Sequence, residues 1–416
     1  MSHLGVMIAV SVVLGLLVGG LAIPFAGALG LASTNAAKGL DNLPAAMRTT
    51  ALPERTRMLS SGGKVIATFY DENRTNVKLD QVAPVMQKAI IAIEDYRFYQ
   101  HGALDLKGTL RALVTNKTSG GTVQGGSSIT QQMAKLTNLQ NAKTSAERKA
   151  AVAETYQRKV LELRQAIAFE QNYSKNWILE RYLNIAYFGD GAYGIQAAAR
   201  HYFSVEAKDL TLPQAAMLAG LVKNPVGYDP TDNPAAARAR RDVVVDRMAQ
   251  LNVISDADRD AVKAQTLGLT LSPTRNGCLA SPAPFFCDYA YRYLLADPSL
   301  GKTVEDRKEL IYAGGLTIKT TVDLRYQKIA DQSVSAHVDP TDQAIGALAM
   351  ETPGKGDVKA IAQSRPMGRD KKLGQTFLNY VVPSSLGDSA GFQAGSTFKL
   401  FVLSSALEQG ISPYER

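Results

Sequence analysis

The longest run of apolar positions in the chain lies at its N-terminus. Residues 4–32 are almost unbroken in apolar character, and the first Lys, Arg, Asp or Glu of the sequence is Lys38. About 20 apolar residues suffice for a helix to cross a bilayer, because a helix satisfies its own backbone hydrogen bonds. The run predicts a single-pass transmembrane anchor in the cytoplasmic membrane over residues 1–33, then a linker over 34–56. A signal peptide cleaved near Ala32 is the alternative, and either one sends the remaining chain outside the cytoplasm.

Helical spacing of apolar positions dominates the middle of the chain. A stripe that includes Ala89, Ile90 and Ile93 predicts a helix that leads directly into Glu94. Two later helix starts carry capping sequences, in which a Thr is followed three residues later by Glu or Gln. Further helices are predicted from Thr144 through Phe169, after Ser174 through Ile185, after Thr211, and over residues 238–247. The pattern predicts a mainly α domain over residues 57–255.

The last third of the chain mixes α and β patterns. Residues 268–315 combine Pro, Gly, Cys and aromatic residues, and we predict a connection between domains over 256–315. Short runs of alternating apolar and polar residues predict strands here, and one further strand near the start of the mainly α domain. The predicted strands span residues 65–70, 316–322, 344–351 and 357–364. With a last helix from near Gly395, residues 316–416 are expected to begin an α/β domain.

Charge and cysteine content narrow the expected partners. The formal net charge of +8 favours an anionic partner, which a nucleic acid, a membrane surface or a phosphorylated substrate can supply. The basic residues are scattered along a chain expected outside the cytoplasm, so no nucleic acid is predicted. Cys278 and Cys287 form either a disulfide, which an oxidising compartment permits, or two free buried thiols. A metal site there would need a further ligand, and none is nearby.

The densest cluster of polar side chains is EDYRFYQHGALD, residues 94–105. Glu94 stands at the end of a predicted apolar helix, where burial and the negative end of the helix dipole both raise the pKa of a carboxyl group. A raised pKa suits a general base that works near neutral pH. The alternative is an exposed pair of acids that merely ends a helix.

Two further clusters offer hydrogen bonds and charge. In QGGSSITQQMAK, residues 124–135, two glycines permit tight turns before a series of hydroxyl and amide side chains that suit sugar hydroxyls or phosphate oxygens. In RKVLE, helical spacing places Arg158, Lys159 and Glu162 on one face. Two cations beside a carboxylate suit a diphosphate, with or without a bridging divalent metal. The alternative interpretation of the first of these two clusters is an ordinary polar loop and helix cap, and that of RKVLE is a solvated surface salt bridge.

The order of these clusters is more specific than any one of them. EDYRFYQHGALD, GGSSITQQ, RKVLE, YLNIAYFGDGAYGI and LTLPQAAMLAGLVKNPVGYDP follow one another within residues 57–250. In this order they closely resemble the five motifs of the glycosyltransferase domain of bifunctional (class A) penicillin-binding proteins. The resemblance implies a lysozyme-like helical domain that polymerises lipid II. Ser128 stands where the family usually has Thr, and the stretch between the second and third motifs is longer than usual.

The resemblance also implies roles for individual side chains. Glu94 would be the general base that deprotonates the 4-hydroxyl of the incoming lipid II sugar. Glu162 would act on the diphosphate directly or through a divalent metal, Mg²⁺ or Mn²⁺, and no other cofactor is implied. A diphosphate leaving group needs charge neutralisation rather than a proton, which cations can supply. The side chains expected to bind substrate are Asp95, Phe98, His101, Ser127, Gln131, Gln132, Lys135, Arg158 and Lys159.

A second resemblance lies near the C-terminus. Ser396-Thr397-Phe398-Lys399 is an SxxK motif, and its context FQAGSTFKLFVLSSAL resembles the transpeptidase domain of the same family. There the Ser is the acyl nucleophile and the Lys assists proton transfer. The motif alone is weak, since residues 61–64 also satisfy it. No S-x-N or K-T-G motif follows, so we expect an incomplete transpeptidase that cannot crosslink peptides.

Two other functions are compatible with parts of this pattern. A lysozyme-like muramidase also uses two carboxylates in a helical fold, but it has no diphosphate for Arg158 and Lys159 to hold. A non-catalytic scaffold that binds lipid II is the second alternative, although the presence of all five motifs gives no sign of lost activity. The expected partners are lipid II, the growing glycan strand, the cytoplasmic membrane and other cell-wall synthesis proteins.

Overall fold

The computed structural model describes residues 51–105 and 127–414. These residues divide between two compact units that do not follow chain order. Of the described residues, the first contains 51–52, 77–105, 127–190 and 205–268, and the second contains 53–76, 191–204 and 269–414. The predicted anchor and most of the predicted linker lie outside the described residues. Within the described ranges, no helix is both long enough and apolar enough to cross a membrane.

Helices outnumber strands in the described chain. In chain order the helices are α1 (Pro84–Glu94), α2 (Ile129–Asn141), α3 (Ser145–Val152), α4 (Tyr156–Asn172), α5 (Lys175–Ile185), α6 (Ile195–Phe203), α7 (Leu212–Leu221), α8 (Pro234–Gln250), α9 (Asp256–Ala264), α10 (Pro284–Ala296), α11 (Val304–Ala313), α12 (Leu324–Ser335), α13 (Ser384–Gly387) and α14 (Lys399–Glu408). The strands are β1 (Thr56–Leu59), β2 (Val65–Phe69), β3 (Asn73–Arg74), β4 (Ala192–Tyr193), β5 (Thr317–Lys319), β6 (Ala347–Glu351) and β7 (Val358–Gln363).

The first unit is built from helices, which confirms the prediction of a mainly α domain. Local capping explains several helix starts: Ser174 caps α5, and Thr211 forms a capping box at α7. Helix α7 (LPQAAMLAGL) is almost completely buried and packs against α1 and α8. Helix α2 packs against α4 and α5. The unit thus places α1 against α7 and α8, and α2 against α4 and α5.

The prediction of one continuous helix from Thr144 through Phe169 is wrong. The structure has two helices, α3 and α4, separated at Ala153–Thr155. Thr155 begins α4 as its N-cap, because its hydroxyl accepts a hydrogen bond from the Arg158 backbone N–H. The Arg158 guanidinium donates to the Ala153 carbonyl and so satisfies a group at the end of α3. The helical pattern continues across this point, but local side-chain bonds end one helix and begin another.

The second unit mixes helices and strands. Strand β1 lies between β2, with which it pairs antiparallel, and β5, with which it pairs parallel. Strands β6 and β7 lie within two of the predicted strands and pair antiparallel, and α12 packs on β7. The main core of this unit joins apolar side chains of β1 and β2 to those of α10 and α11, including Met58, Phe69, Phe286 and Ile311. Residues 256–315, predicted as a connection, contain α9, α10 and α11.

A disulfide joins Cys278 to Cys287 in this second unit, with their Cα atoms 5.5 Å apart. The sequence left this pairing and two free thiols as alternatives, and the structure has the disulfide. Cys287 lies in α10, is fully buried, and belongs to the core formed with β1 and β2. The bond therefore fastens the loop before α10 to the centre of the second unit.

Candidate active site

The Glu94 carboxyl group lies at the C-terminal end of α1, which ends because Asp95 leaves the helical conformation. Glu94 as a residue is half-buried, but protein atoms enclose its carboxyl group, and this burial raises its pKa. The Gln132 amide nitrogen opposes the rise by donating a hydrogen bond to Glu94 Oε2 at 2.8 Å. The result is a partly desolvated carboxyl group that the surface can still reach.

Three cations act on the same carboxylate. The charges of Arg240, Lys223 and Lys135 each lower the pKa of Glu94, although burial remains the largest effect. Burial in turn lowers the pKa of Arg240 and of Lys135, while the charge of Glu94 raises both. A buried carboxylate costs free energy unless it is paired or hydrogen-bonded, so these groups stabilise its ionised form.

Asp95 connects the first predicted cluster to the second. One carboxylate oxygen contacts His101 Nε2 at 2.7 Å, and the other accepts a hydrogen bond from the backbone N–H of Ile129 at 3.1 Å. Because Ile129 is the first residue of α2, Asp95 also satisfies a free N–H at a helix N-terminus, where negative charge is favoured. Asp95 and His101 are nearly enclosed, with side-chain exposures of 5% and 7%. They hold the end of α1 against the start of α2.

The hydroxyl and amide side chains of the second cluster divide into two groups. Ser128 and Gln131 both donate to the carbonyl of Ala103, at 3.0 and 3.3 Å, so they fasten α2 to the first cluster. Gln132 and Lys135 instead act on Glu94 from the same helix. Ser127 accepts a hydrogen bond from Lys159 Nζ at 2.8 Å. The cluster therefore supports the local structure with some side chains and surrounds Glu94 with others.

The third cluster forms a buried carboxylate with two cations. The Glu162 side chain is 2% exposed and pairs with Arg158 through one oxygen and with Lys159, at 3.0 Å, through the other. Lys159 is 47% exposed, so its ammonium remains accessible. Glu162 and Glu94 both raise the pKa of Lys135, which places that ammonium in the field of both carboxylates. The first, second and third clusters thus act on one another within the first unit.

Phe98 has a different environment from its neighbours in the first cluster. Its ring is fully buried, and Lys175 Nζ lies 4.5 Å from the ring centroid. Lys175 also pairs with Glu170 at 2.7 Å. A cation over an aromatic face is attracted by the ring quadrupole. This contact joins the first cluster to α5, and the Lys175–Glu170 ion pair continues it to α4.

Glu162 does not belong to the cluster of possible metal ligands found among the described residues. Within residues 51–105 and 127–414, Asp95, His101 and Asp105 offer ligand atoms within 4.8 Å of one another. Each already has a protein partner, since Asp95 contacts His101 and Asp105 pairs with Arg97. Both oxygens of Glu162 are occupied by cations. The divalent metal stays a prediction that these contacts do not favour.

Three side chains near Glu94 were missed at the level of sequence. Lys223 stands in the fifth motif, and a single Lys directly after an apolar helix is a signal that could have identified it. Arg240 is one of several arginines in α8, and spacing alone does not show which one faces Glu94. Tyr182 lies on α5, and its hydroxyl donates to Gln132 Oε1 at 3.0 Å. Only packing brings these three to the site.

The SxxK residues lie in the second unit. Ser396 stands in a short 3₁₀ turn, Gly395–Phe398, and Lys399 is the first residue of α14. Both are exposed, as are most apolar side chains of α14. The predicted helix start is therefore present.

Chemically, the first unit combines a partly desolvated carboxylate with several cations, of which Lys159 is 47% exposed. Glu94 can act as a proton acceptor, because burial raises its pKa and the residue is only half-buried. Lys135, Arg158 and Lys159 can bind a polyanion, since phosphate oxygens are good acceptors for charged donors. The arrangement suits a reaction in which a hydroxyl loses its proton and an anionic group departs.

Comparisons with known proteins find chains of one family that are similar to this one. Residues 62–249 match the family model described as Transglycosylase. The chain is 36% identical to penicillin-binding protein 2D of Bacillus subtilis over 364 residues, which cover 87% of this chain and 48% of that protein. It is 34% identical to penicillin-binding protein 1A of Mycobacterium tuberculosis over 358 residues, which cover 85% of this chain and 40% of that protein.

The chain spans less than half the length of these two relatives. Among solved structures, penicillin-binding protein 1A from Haemophilus influenzae is 20% identical and covers 71% of this chain and 31% of its own. Its TM-score of 0.38 is too low to support a statement about the fold.

Proposed function

The chain belongs to the transglycosylase family of the class A penicillin-binding protein type through residues 62–249, and we propose that it polymerises lipid II into the β-1,4-linked glycan strands of peptidoglycan. The observation that carries this proposal is the enclosed carboxyl group of Glu94, which Gln132 holds and three cations face. A muramidase would also use an enclosed carboxyl, but it would have no use for cations that suit a diphosphate.

In the proposed reaction, Glu94 removes the proton from the 4-hydroxyl of the incoming lipid II sugar. That oxygen forms a bond to the anomeric carbon of the growing strand, with inversion, and the bond from this carbon to the lipid diphosphate breaks. The diphosphate leaves with the electron pair. Lys135, Arg158 and Lys159 would neutralise the charge that develops on it, which replaces protonation of the leaving group.

We assign Glu162 the role of holding Arg158 and Lys159 in place for the diphosphate. Its two ion pairs fix both cations on one face of α4, and its burial leaves little room for other ligands. A divalent metal, if bound, would add positive charge at the diphosphate. Asp95, His101, Ser127 and Gln131 would shape the cleft by holding α1, α2 and α4 together.

We further propose that the second unit begins a transpeptidase domain in which Ser396 is the acyl nucleophile and Lys399 its partner. The whole protein would act on the outer side of the cytoplasmic membrane, anchored by residues 1–33, with other cell-wall synthesis proteins. Stable labelling of Ser396 by a fluorescent penicillin is the measurement that separates a reactive pair from an unreactive one.

The decisive test of the polymerase is Glu94→Gln. This change keeps the shape of the side chain but removes the base, so polymer formation from lipid II should fall by about 10²- to 10⁴-fold. Glu180→Gln is the matched control: Glu180 accepts a hydrogen bond from the Leu79 N–H at 2.9 Å and is not part of the site. Polymerisation at the unaltered rate by Glu94→Gln would show that Glu94 is not the base. Cleavage of preformed peptidoglycan without synthesis would support a muramidase instead.

A further inference from the structure

A fully buried tyrosine lies behind the amide that holds Glu94. Tyr182 is 0% exposed on α5, and its hydroxyl donates to Gln132 Oε1 at 3.0 Å. The Nε2 atom of Gln132 donates in turn to Glu94 Oε2 at 2.8 Å. Two consecutive hydrogen bonds therefore run from the core of the first unit to the proposed base. The three side chains come from three helices, α5, α2 and α1.

The two bonds fix which way the Gln132 amide points. A carboxylate accepts hydrogen bonds and donates none, so Gln132 must present its NH₂ group to Glu94 and its carbonyl to Tyr182. Burial raises the pKa of Tyr182 well above its ordinary value, with a smaller contribution from the charge of Glu94, so the phenol keeps its proton and donates it. If the amide turned over, its carbonyl would face the carboxylate, and the buried hydroxyl would lose its acceptor.

We propose that Tyr182 is a positioning residue for glycan polymerisation, whose hydroxyl holds the Gln132 amide in the one orientation that supports Glu94 as the base. This inference rests on the proposed function. The hydrogen bond from Gln132 goes to Glu94 Oε2, and none of residues 51–105 and 127–414 donates one to Oε1. The arrangement leaves Oε1 available for the proton of the attacking hydroxyl.

The charges that face Glu94 come from other helices and do not depend on Tyr182. Lys135 acts from α2, Lys223 from the residues after α7, and Arg240 from α8. All three remain when only the Tyr182 hydroxyl is removed. The amide would then be free to turn, its hydrogen bond to Glu94 would weaken, and the raised pKa of Glu94 would rise further. Because the base must be ionised, the loss of activity on acidification would then begin at a higher pH.

The test is Tyr182→Phe in the full chain, with kcat/KM for lipid II measured against pH. We expect the acidic limb of the profile to move up by about one pH unit, so that activity on that limb falls about tenfold and recovers at higher pH. Tyr70→Phe is the matched control, since Tyr70 in the other unit also donates one hydrogen bond to a carbonyl, that of Thr274, at 2.6 Å. Its profile should equal that of the unaltered protein.

A second variant tests whether Tyr182 acts through Gln132. Gln132→Leu should move the acidic limb in the same direction, and adding Tyr182→Phe to it should produce no further movement. Should Tyr182→Phe fail to fold, 3-fluorotyrosine at position 182, a stronger donor, should move the limb to lower pH. An unchanged limb in Tyr182→Phe, or additive shifts in the double variant, would overturn the inference while Glu94→Gln still abolished polymerisation. If Glu94→Gln stayed active, the proposed function itself would be wrong.

Discussion

Reduction of the Cys278–Cys287 disulfide should destabilise the second unit and leave the first unchanged. The two cysteines are 9 positions apart, so the bond closes a short loop. A crosslink around about 10 residues restricts the unfolded chain by an entropy worth about 2.7 kcal/mol at room temperature. The apolar core around Cys287 and Phe286 remains after reduction, so the unit should stay folded. Its free energy of unfolding should be lower by this amount.

Two measurements report the stability of each unit individually. Trp177, the one tryptophan of the chain, lies on α5 and reports unfolding of the first unit by its fluorescence in urea. Hydrogen exchange of peptides from β2 and α10 reports opening of the second unit. A loss of 2.7 kcal/mol corresponds to about 100-fold faster exchange where exchange requires unfolding of the unit. The urea midpoint of the Trp177 signal should not change.

The control is the double variant Cys278→Ala with Cys287→Ala. It should be less stable from the start, because it lacks the crosslink, and reductant should change nothing further. Equal exchange of α10 with and without reductant in the unaltered protein would refute the reasoning, since the bond would then not constrain the unfolded unit. A fall in the Trp177 midpoint on reduction would refute the assignment of the effect to the second unit.

Two further outcomes are expected in the first unit. Asn138 and Gln165 exchange two hydrogen bonds, at 2.7 and 2.8 Å, between α2 and α4. Asn138→Leu should lower the free energy of unfolding by about 1–2 kcal/mol, because it leaves Gln165 without its partner. The double variant with Gln165→Leu should lose less than twice this amount, because both partners are then apolar. Additive losses, seen by Trp177 fluorescence in urea, would contradict this. The acidic limb of the kcat profile should lie at higher pH than that of the kcat/KM profile, because bound diphosphate adds negative charge near Glu94. Limbs at the same pH would show that the diphosphate does not act on Glu94.

Local signals predicted those parts of the fold that depend on neighbouring residues. The predicted helix starts after Ser174 and Thr211 are those of α5 and α7, and alternation correctly predicts the two strands β6 and β7. The capping box at Thr144 correctly marked the start of α3. Continuation of that helix through Phe169 was wrong because the hydroxyl of Thr155 begins a new helix, and the apolar pattern does not reveal such a cap. The cluster that contains Gln132 is expected to form a loop, with a helix cap in the alternative interpretation; in the structure Ser128 caps α2, and Gln132 lies within this helix.

The environment of Glu94 depends on packing and was only partly predictable. The sequence predicts a raised pKa for Glu94 at the end of its helix, and burial does raise the pKa of this carboxyl group. The cations that oppose this effect include Lys223 and Arg240, which lie more than a hundred positions away. Arg240 and Arg241 are adjacent in α8, yet Arg240 acts on Glu94, while the fully buried Arg241 donates to the carbonyls of Gln265 and Thr266. Only the rotation of α8 against α1 distinguishes them.

In the proposed reaction, the position of Lys135 would join proton removal to diphosphate binding. A base must lose its proton before it acts, yet it must hold the next proton firmly enough to remove it from a hydroxyl. Glu94 meets the first need through its surrounding cations, and Lys135 is the cation that also lies in the field of Glu162. When a diphosphate binds beside Arg158 and Lys159, its negative charge offsets part of the effect of Lys135 on Glu94. The base should therefore become stronger only after the leaving group is in place, which limits proton removal to productive complexes.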